Sequence, residues 1–203
     1  MLVELLRSRP WVRRSVSVVS VVLFLGGIGL VGFPFATNMW QGRVQQRLDN
    51  QLVSPELQQA YRERKVETGD SLTRIRIPSL GIDTVVVEGV TPSALRAGAG
   101  HYPNTALPCE TGNVAIAGHR TTFGKPFVNV DQLKSGDMIE LATPLGACRY
   151  KISREPWVVA PTEMSVLNPS TDKTITLTTC HPKGSAAQRL IVRATWVDDI
   201  KKS

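Results

Sequence analysis

The 203-residue sequence predicts an all-β domain with minor helices, preceded by one N-terminal transmembrane helix. Three observations carry that expectation. Residues 15–35 (SVSVVSVVLFLGGIGLVGFPF) form an uncharged run of 21 residues, enough at ~1.5 Å rise per residue to cross a ~30 Å hydrocarbon core. From residue 71 the chain breaks into short runs that are rich in β-branched residues and alternate with period 2. Gly and Pro recur between those runs and supply the turns, and about eight such runs favour a barrel or a sandwich.

Taken in order, the apolar run is flanked by Arg7, Arg9, Arg13 and Arg14 against Glu4 on one side, and by Arg43 and Arg47 against Asp49 on the other. The more positive flank stays in the cytoplasm, which puts everything after Ala36 on the outer face of the cell membrane. A cleaved signal peptide fits less well, because its apolar region is shorter and ends in a small-residue site, whereas here bulky Phe33 and Phe35 precede Ala36. The expected organisation is a basic cytoplasmic segment over 1–14, a single-pass anchor over 15–36, a stalk over 37–70 and a β-patterned domain over 71–203. In the stalk, Val44, Leu48, Leu52 and Leu57 make one thin helical stripe, broken near Pro55, so a solvated spacer is expected.

Candidate strands fall at 72–77, 82–87, 112–117, 138–141, 147–152, 157–160, 174–179 and 190–197, and short helices fit at 92–97, 126–133 and 162–167. The net charge of +7 is scattered among acidic residues, and with only 6% aromatic residues there is no basic, aromatic-interleaved surface of the kind that holds nucleic acid. No Cys-x-x-Cys pair and no acidic cluster of ligand spacing occurs, so no metal and no cofactor is expected.

The chemistry points to residues 174–197. A thiol attacks a carbonyl as thiolate, so it needs a proton acceptor, and the resulting oxyanion needs a donor. Cys180 ends one strand-like run and Arg189 opens the next, so a hairpin-like return could bring guanidinium to sulfur. Of the three histidines, His119 ends the run GNVAIAGH and would project at a strand end. His101 lies in a glycine-containing loop, while His181 adjoins Cys180 and on extended backbone points to the opposite face. Chemistry alone therefore ranks Cys180 with His119 and gives Arg189 the oxyanion. Each also has an ordinary reading: a small buried hydrophobe, a surface imidazole and a surface ion pair.

The run TLTTC followed by Arg189, the upstream strand ending in GH at His119, and the N-terminal anchor together resemble the sortase family of extracytoplasmic cysteine transpeptidases. The segments GHYPNTALP, NVAIAGHRTTFGKPF and TLTTCHP look most like the class E sortases of Gram-positive actinobacteria. The resemblance covers roughly residues 71–200 and implies a closed eight-stranded β-barrel with the catalytic roles on Cys180, His119 and Arg189. It further implies cleavage of a C-terminal LAxTG- or LPxTG-like sorting motif between Thr and Gly through a thioacyl intermediate, followed by transfer to an amine. Implied partners are secreted proteins carrying that motif, an acceptor amine in peptidoglycan precursor or pilin, and membrane lipid around the single helix. Tyr102 in GHYP is a candidate substrate contact, and Thr121, Thr122, Thr178 and Thr179 are candidate groove hydroxyls, although alternating threonine is also ordinary strand chemistry.

Unperturbed Cys and His titrate near ~8.5 and ~6.5, so an unassisted pair is mostly thiol plus neutral imidazole at neutral pH. Activity is then expected to follow the minority thiolate–imidazolium form, with a bell-shaped pH profile. The pairing of Cys109 with Cys148 is left open by the sequence; in an oxidising compartment a bridge would spare Cys180. Two other functions fit the same residues: a cysteine peptidase whose acyl enzyme is resolved by water, and a non-catalytic, membrane-tethered β-barrel that binds an envelope partner.

Overall fold

The structure, a computed structural model, describes residues 10–200. Helix α1 spans Pro10–Leu52, and the chain divides within it into two compact units, one ending at Trp40 and the other beginning at Gln41. In the first unit Trp11–Gly29 is long and apolar enough to cross a membrane, and none of it is buried. This stretch begins a few residues before the expected anchor. Part of the basic flank expected to be cytoplasmic, Arg7 and Arg9 with Glu4, lies outside the described residues.

In the second unit nine strands form one sheet: β1 Ser71–Ile77, β2 Ile82–Glu88, β3 Ala99–His101, β4 Gly112–Ala117, β5 Met138–Thr143, β6 Gly146–Ile152, β7 Trp157–Val159, β8 Lys173–His181 and β9 Gln188–Ile200. Eight of them follow the order β6-β5-β1-β2-β3-β4-β8-β9, and the far half of β9 pairs back onto β6, from Ala147↔Ile200 to Ile152↔Ala194. That pairing closes the barrel and leaves no free edge in the ring. The short strand β7 lies outside the ring, on the near half of β9. Eight ring strands agree with the expected count, but the membership differs. The 157–160 run is the outrigger β7, and the ring's eighth member is β3, whose Ala-Gly-His sequence carries no β-branched residue to announce it.

Inward-facing Ile75, Ile77, Val114, Ile116, Ile139, Leu141, Ile175, Leu177 and Val192 fill the barrel, with Phe127 and Tyr150 as its largest fully buried rings. Each such side chain contributes about 1.5–3 kcal/mol by leaving water. The threonine face of β8 is covered as well. The Thr176 hydroxyl donates to Asn113 Oδ1 at 2.7 Å, while the Asn113 amide donates to the carbonyls of Val166 and Asn168, both at 3.1 Å, and so straps the segment before β8 over that face.

The expected helix at 92–97 is α3, Pro92–Ala97, capped by the Thr91 hydroxyl accepting from Ala94 N–H at 3.3 Å. Those expected at 126–133 and 162–167 shrink to single 3₁₀ turns, Val130–Gln132 and Ser165–Leu167.

The segment expected to be a solvated spacer packs onto the barrel from Gln41 onward. Leu48, Leu52, Leu57 and Tyr61 are all buried, the last two on helix α2, Pro55–Arg62, which the Ser54 hydroxyl caps by accepting from Leu57 N–H at 3.2 Å. Amide side chains make up for the thin apolar stripe. Gln45 donates to the Ala97 carbonyl at 2.7 Å and accepts from Val85 N–H at 2.9 Å and the Thr84 hydroxyl at 3.0 Å, and Gln41 also donates to Ala97 at 3.0 Å. Gly98 permits this approach, since a Cβ there would sit 2.7 Å from the Val85 carbonyl oxygen and 2.8 Å from Gln45 Nε2. Cys109, in the loop after β3, is joined to core residue Cys148 on β6, with Cα atoms 5.7 Å apart.

Candidate active site

Strands β4 and β8 run parallel, with Ala117 level with Thr178. His119 follows Ala117 by two residues, as Cys180 follows Thr178. On the other side of β8, antiparallel β9 pairs Arg189 directly with Cys180. Cys180 therefore has Arg189 opposite it on one neighbouring strand and, on the other side, the strand that leads into His119. Cys180 is half-buried, and it is the one free cysteine among the described residues.

The approach to His119 is fixed by its neighbours. Gly118 N–H donates to the Thr178 carbonyl at 3.0 Å, the Thr179 hydroxyl donates to the Gly118 carbonyl at 2.7 Å, and Phe127 N–H donates to the His119 carbonyl at 3.1 Å. Only glycine fits at 118, because a Cβ would lie 2.4 Å from the Phe127 ring. The imidazole stacks obliquely against Phe123 with ring centroids 5.2 Å apart, and the Arg96 guanidinium lies 5.6 Å from the same phenyl ring. Burial pushes the His119 pKa below the usual histidine range, since low polarity disfavours the charged ring. A neutral imidazole suited to accept a proton is therefore its dominant form at neutral pH.

The Arg189 side chain donates to its own loop's carbonyls, Ala186 and Gln188, both at 3.0 Å from Nη1. A guanidinium has five donors, so others remain for a ligand. Tyr102 lies beside β8, its hydroxyl 3.2 Å from that of Thr178. Thr121 and Thr122 are exposed in the loop after His119, whereas Thr178 and Thr179 are buried. With its hydroxyl spent on Gly118, Thr179 supports the end of β4 rather than facing a groove.

The other two histidines are engaged elsewhere. His101 is fully buried, with Nδ1 2.8 Å from Glu88 Oε2 and Nε2 2.9 Å from the Ala106 carbonyl oxygen. His181 Nδ1 accepts from Arg120 Nη1 at 2.9 Å. Arg120 is the residue that sequence reasoning missed. It is 3% exposed, pairs with Asp131 at 2.9 Å and also donates to the Cys180 carbonyl at 3.3 Å. The signal available was its place in GHR: alternation turns it from the His119 face to the face that His181 shares.

Fold and site together define a class: small closed β-barrels that present one thiol at a strand end between a histidine and an arginine. A family model for the sortase domain matches residues 75–197, and the chain belongs to the sortase family. Sortase SrtE1 of Streptomyces coelicolor is 32% identical over 152 residues, which are 68% of this chain and 43% of that protein. Sortase D of Bacillus subtilis is 31% identical over 132 residues, covering 63% of this chain and 65% of that protein. Among solved structures, a Sortase D5 transpeptidase from Clostridium perfringens is similar with a TM-score of 0.67 and 33% identity, covering 77% of this chain and 98% of that one. The chain thus spans less than half of the Streptomyces relative and about two thirds of the Bacillus one. The Streptomyces relative carries the expected likeness to class E.

Proposed function

We propose that the chain is a membrane-anchored cysteine transpeptidase that cleaves an LAxTG- or LPxTG-like sorting motif between Thr and Gly and transfers the upstream protein to a cell-envelope amine. The observation that supports this reading is strand pairing: Arg189 lies opposite Cys180 on β9, and β4, paired to β8 as far as Ala117↔Thr178, leads into His119 two residues later. His119 takes the Cys180 proton, and the thiolate adds to the threonine carbonyl carbon. Arg189 donates to the developing oxyanion, turning from its loop carbonyls to do so. The C–N bond then breaks, the protonated His119 gives its proton to the leaving glycine amine, and the threonine acyl group stays on sulfur. An acceptor amine attacks that thioester, loses its proton to His119 and releases the Cys180 thiolate. Tyr102, beside β8, and exposed Thr121 and Thr122 are the side chains best placed to meet the motif.

The anchor reading rests on the unburied apolar stretch Trp11–Gly29, and the flanking arginines put its N-terminus in the cytoplasm and the barrel outside. On this reading 1–14 is cytoplasmic, 15–36 is the anchor, 37–70 links it to the barrel and 71–203 is catalytic. The test is to incubate the purified chain with an LAxTG peptide, with and without oligoglycine. Ligation that needs the amine supports transpeptidation; exclusive hydrolysis with amine in excess makes the protein a cysteine peptidase, and no turnover of either kind favours a binding module.

A further inference from the structure

Arg120 is a buried cation beside the site, and the reaction scheme above gives it no part. Its guanidinium meets three acceptors, Asp131 Oδ2 at 2.9 Å, His181 Nδ1 at 2.9 Å and the Cys180 carbonyl at 3.3 Å, while its buried Nε–H has no partner. Taking a guanidinium out of water costs several kcal/mol unless its contacts repay it, and an apolar residue would fill the same space without that cost. Where the bonds land is informative. Backbone pairing between β4 and β8 runs out at this point: the last rung is Gly118 N–H to the Thr178 carbonyl, and the His119 carbonyl is then taken by Phe127 N–H. One level further along, the Cys180 carbonyl is held by the Arg120 side chain. The guanidinium thus replaces a ladder bond at the level of the reacting residues. Its backbone adjoins His119 while its head grips the backbone of Cys180.

We propose that Arg120, locked by Asp131 and His181, is a positioning residue that fixes the Cys180 main chain relative to His119 and so aims the sulfur at its proton acceptor. This inference rests on Cys180 and His119 being the reacting pair. His181, adjacent to the nucleophile and on the opposite face, is then an arm of the brace and takes no part in proton transfer.

The test uses the full chain kept soluble in detergent, with Arg120→Lys, Arg120→Met and Asp131→Asn compared by melting temperature, by kcat and KM for an LAxTG peptide with oligoglycine, and by the pH profile of iodoacetamide alkylation. Because Cys109 and Cys148 are paired, alkylation of the unreduced protein reads Cys180. A misplaced reacting group costs up to ~100-fold, so kcat is expected to fall roughly 10- to 100-fold in both Arg120 variants with KM changed by less than about threefold. Their alkylation profiles should move towards that of His119→Ala, and Lys, which keeps the charge but not the fork, should rescue only partly.

Folded variants that keep native kcat and a native alkylation profile would overturn the proposal, as would a lowered melting temperature with unchanged activity per folded molecule. If both Arg120 variants fail to fold, Asp131→Asn decides: reduced kcat with a native melt supports the brace, and full activity refutes it. Cys180→Ala and His119→Ala separate the two levels, since activity surviving in either removes the reading of the site itself, whatever Arg120 does.

Discussion

His119 shows how one residue's surroundings set its chemistry. It follows a glycine that packs against Phe127, stacks against Phe123, and has its pKa lowered by burial. Burial disfavours the imidazolium, so the ring releases its proton at lower pH, and the proposed mechanism predicts an acid limb of kcat/KM below the usual histidine range. Phe123→Ala exposes the ring to water and should move that limb up, towards ~6.5, leaving the alkaline limb in place. A limb that stays put or moves down would show that the phenyl ring does not desolvate His119. The sequence identified His119, Cys180 and Arg189 as candidates because each sits at the end or start of a patterned run. Nothing in it pointed to Phe123, an aromatic residue in an exposed loop, and for Arg120 only the alternation in GHR was available, since its burial depends on a partner strand 60 residues away.

At the level of elements, most of the barrel was legible because its strands carry period-2, β-branched patterns. What was not legible was set by tertiary context. β3 has three residues and no side-chain pattern, and it exists because β2 and β4 present edges on either side of it. The continuation of α1 from Gln41 looked solvated because glutamine reads as polar; here it satisfies backbone groups of β2 and α3. Gln45→Ala strips the partner from Val85 N–H and from one bond to the Ala97 carbonyl. Leaving such groups unmet costs about 1–3 kcal/mol, and the midpoint of denaturant unfolding should fall accordingly with no change in m-value. An unchanged midpoint would mean that Gln45 adds nothing to the hold that Leu48, Leu52 and Gln41 already provide.

At the scale of the whole molecule, sheet pairing brings together two stretches of sequence, the end of β4 leading to His119 and the return from Cys180 to Arg189. Parallel pairing of β4 with β8 needs the long crossover through β5, β6 and β7, and antiparallel pairing of β8 with β9 needs only a short return. The bridge between Cys109 and Cys148 ties the loop after β3 to the core and leaves Cys180 as the one free cysteine among the described residues. The apolar stretch Trp11–Gly29 is long and apolar enough to cross a membrane. The central claim is that Cys180 takes up the acyl group, and the most direct measurement is mass spectrometry of the intact protein and its proteolytic peptides after exposure to an LAxTG peptide without amine. The account predicts an added mass equal to the threonine-terminated acyl fragment, mapped to the Cys180 peptide, absent in Cys180→Ala and discharged by oligoglycine. Cleavage of the peptide with no such adduct, or an adduct on another residue, would contradict it.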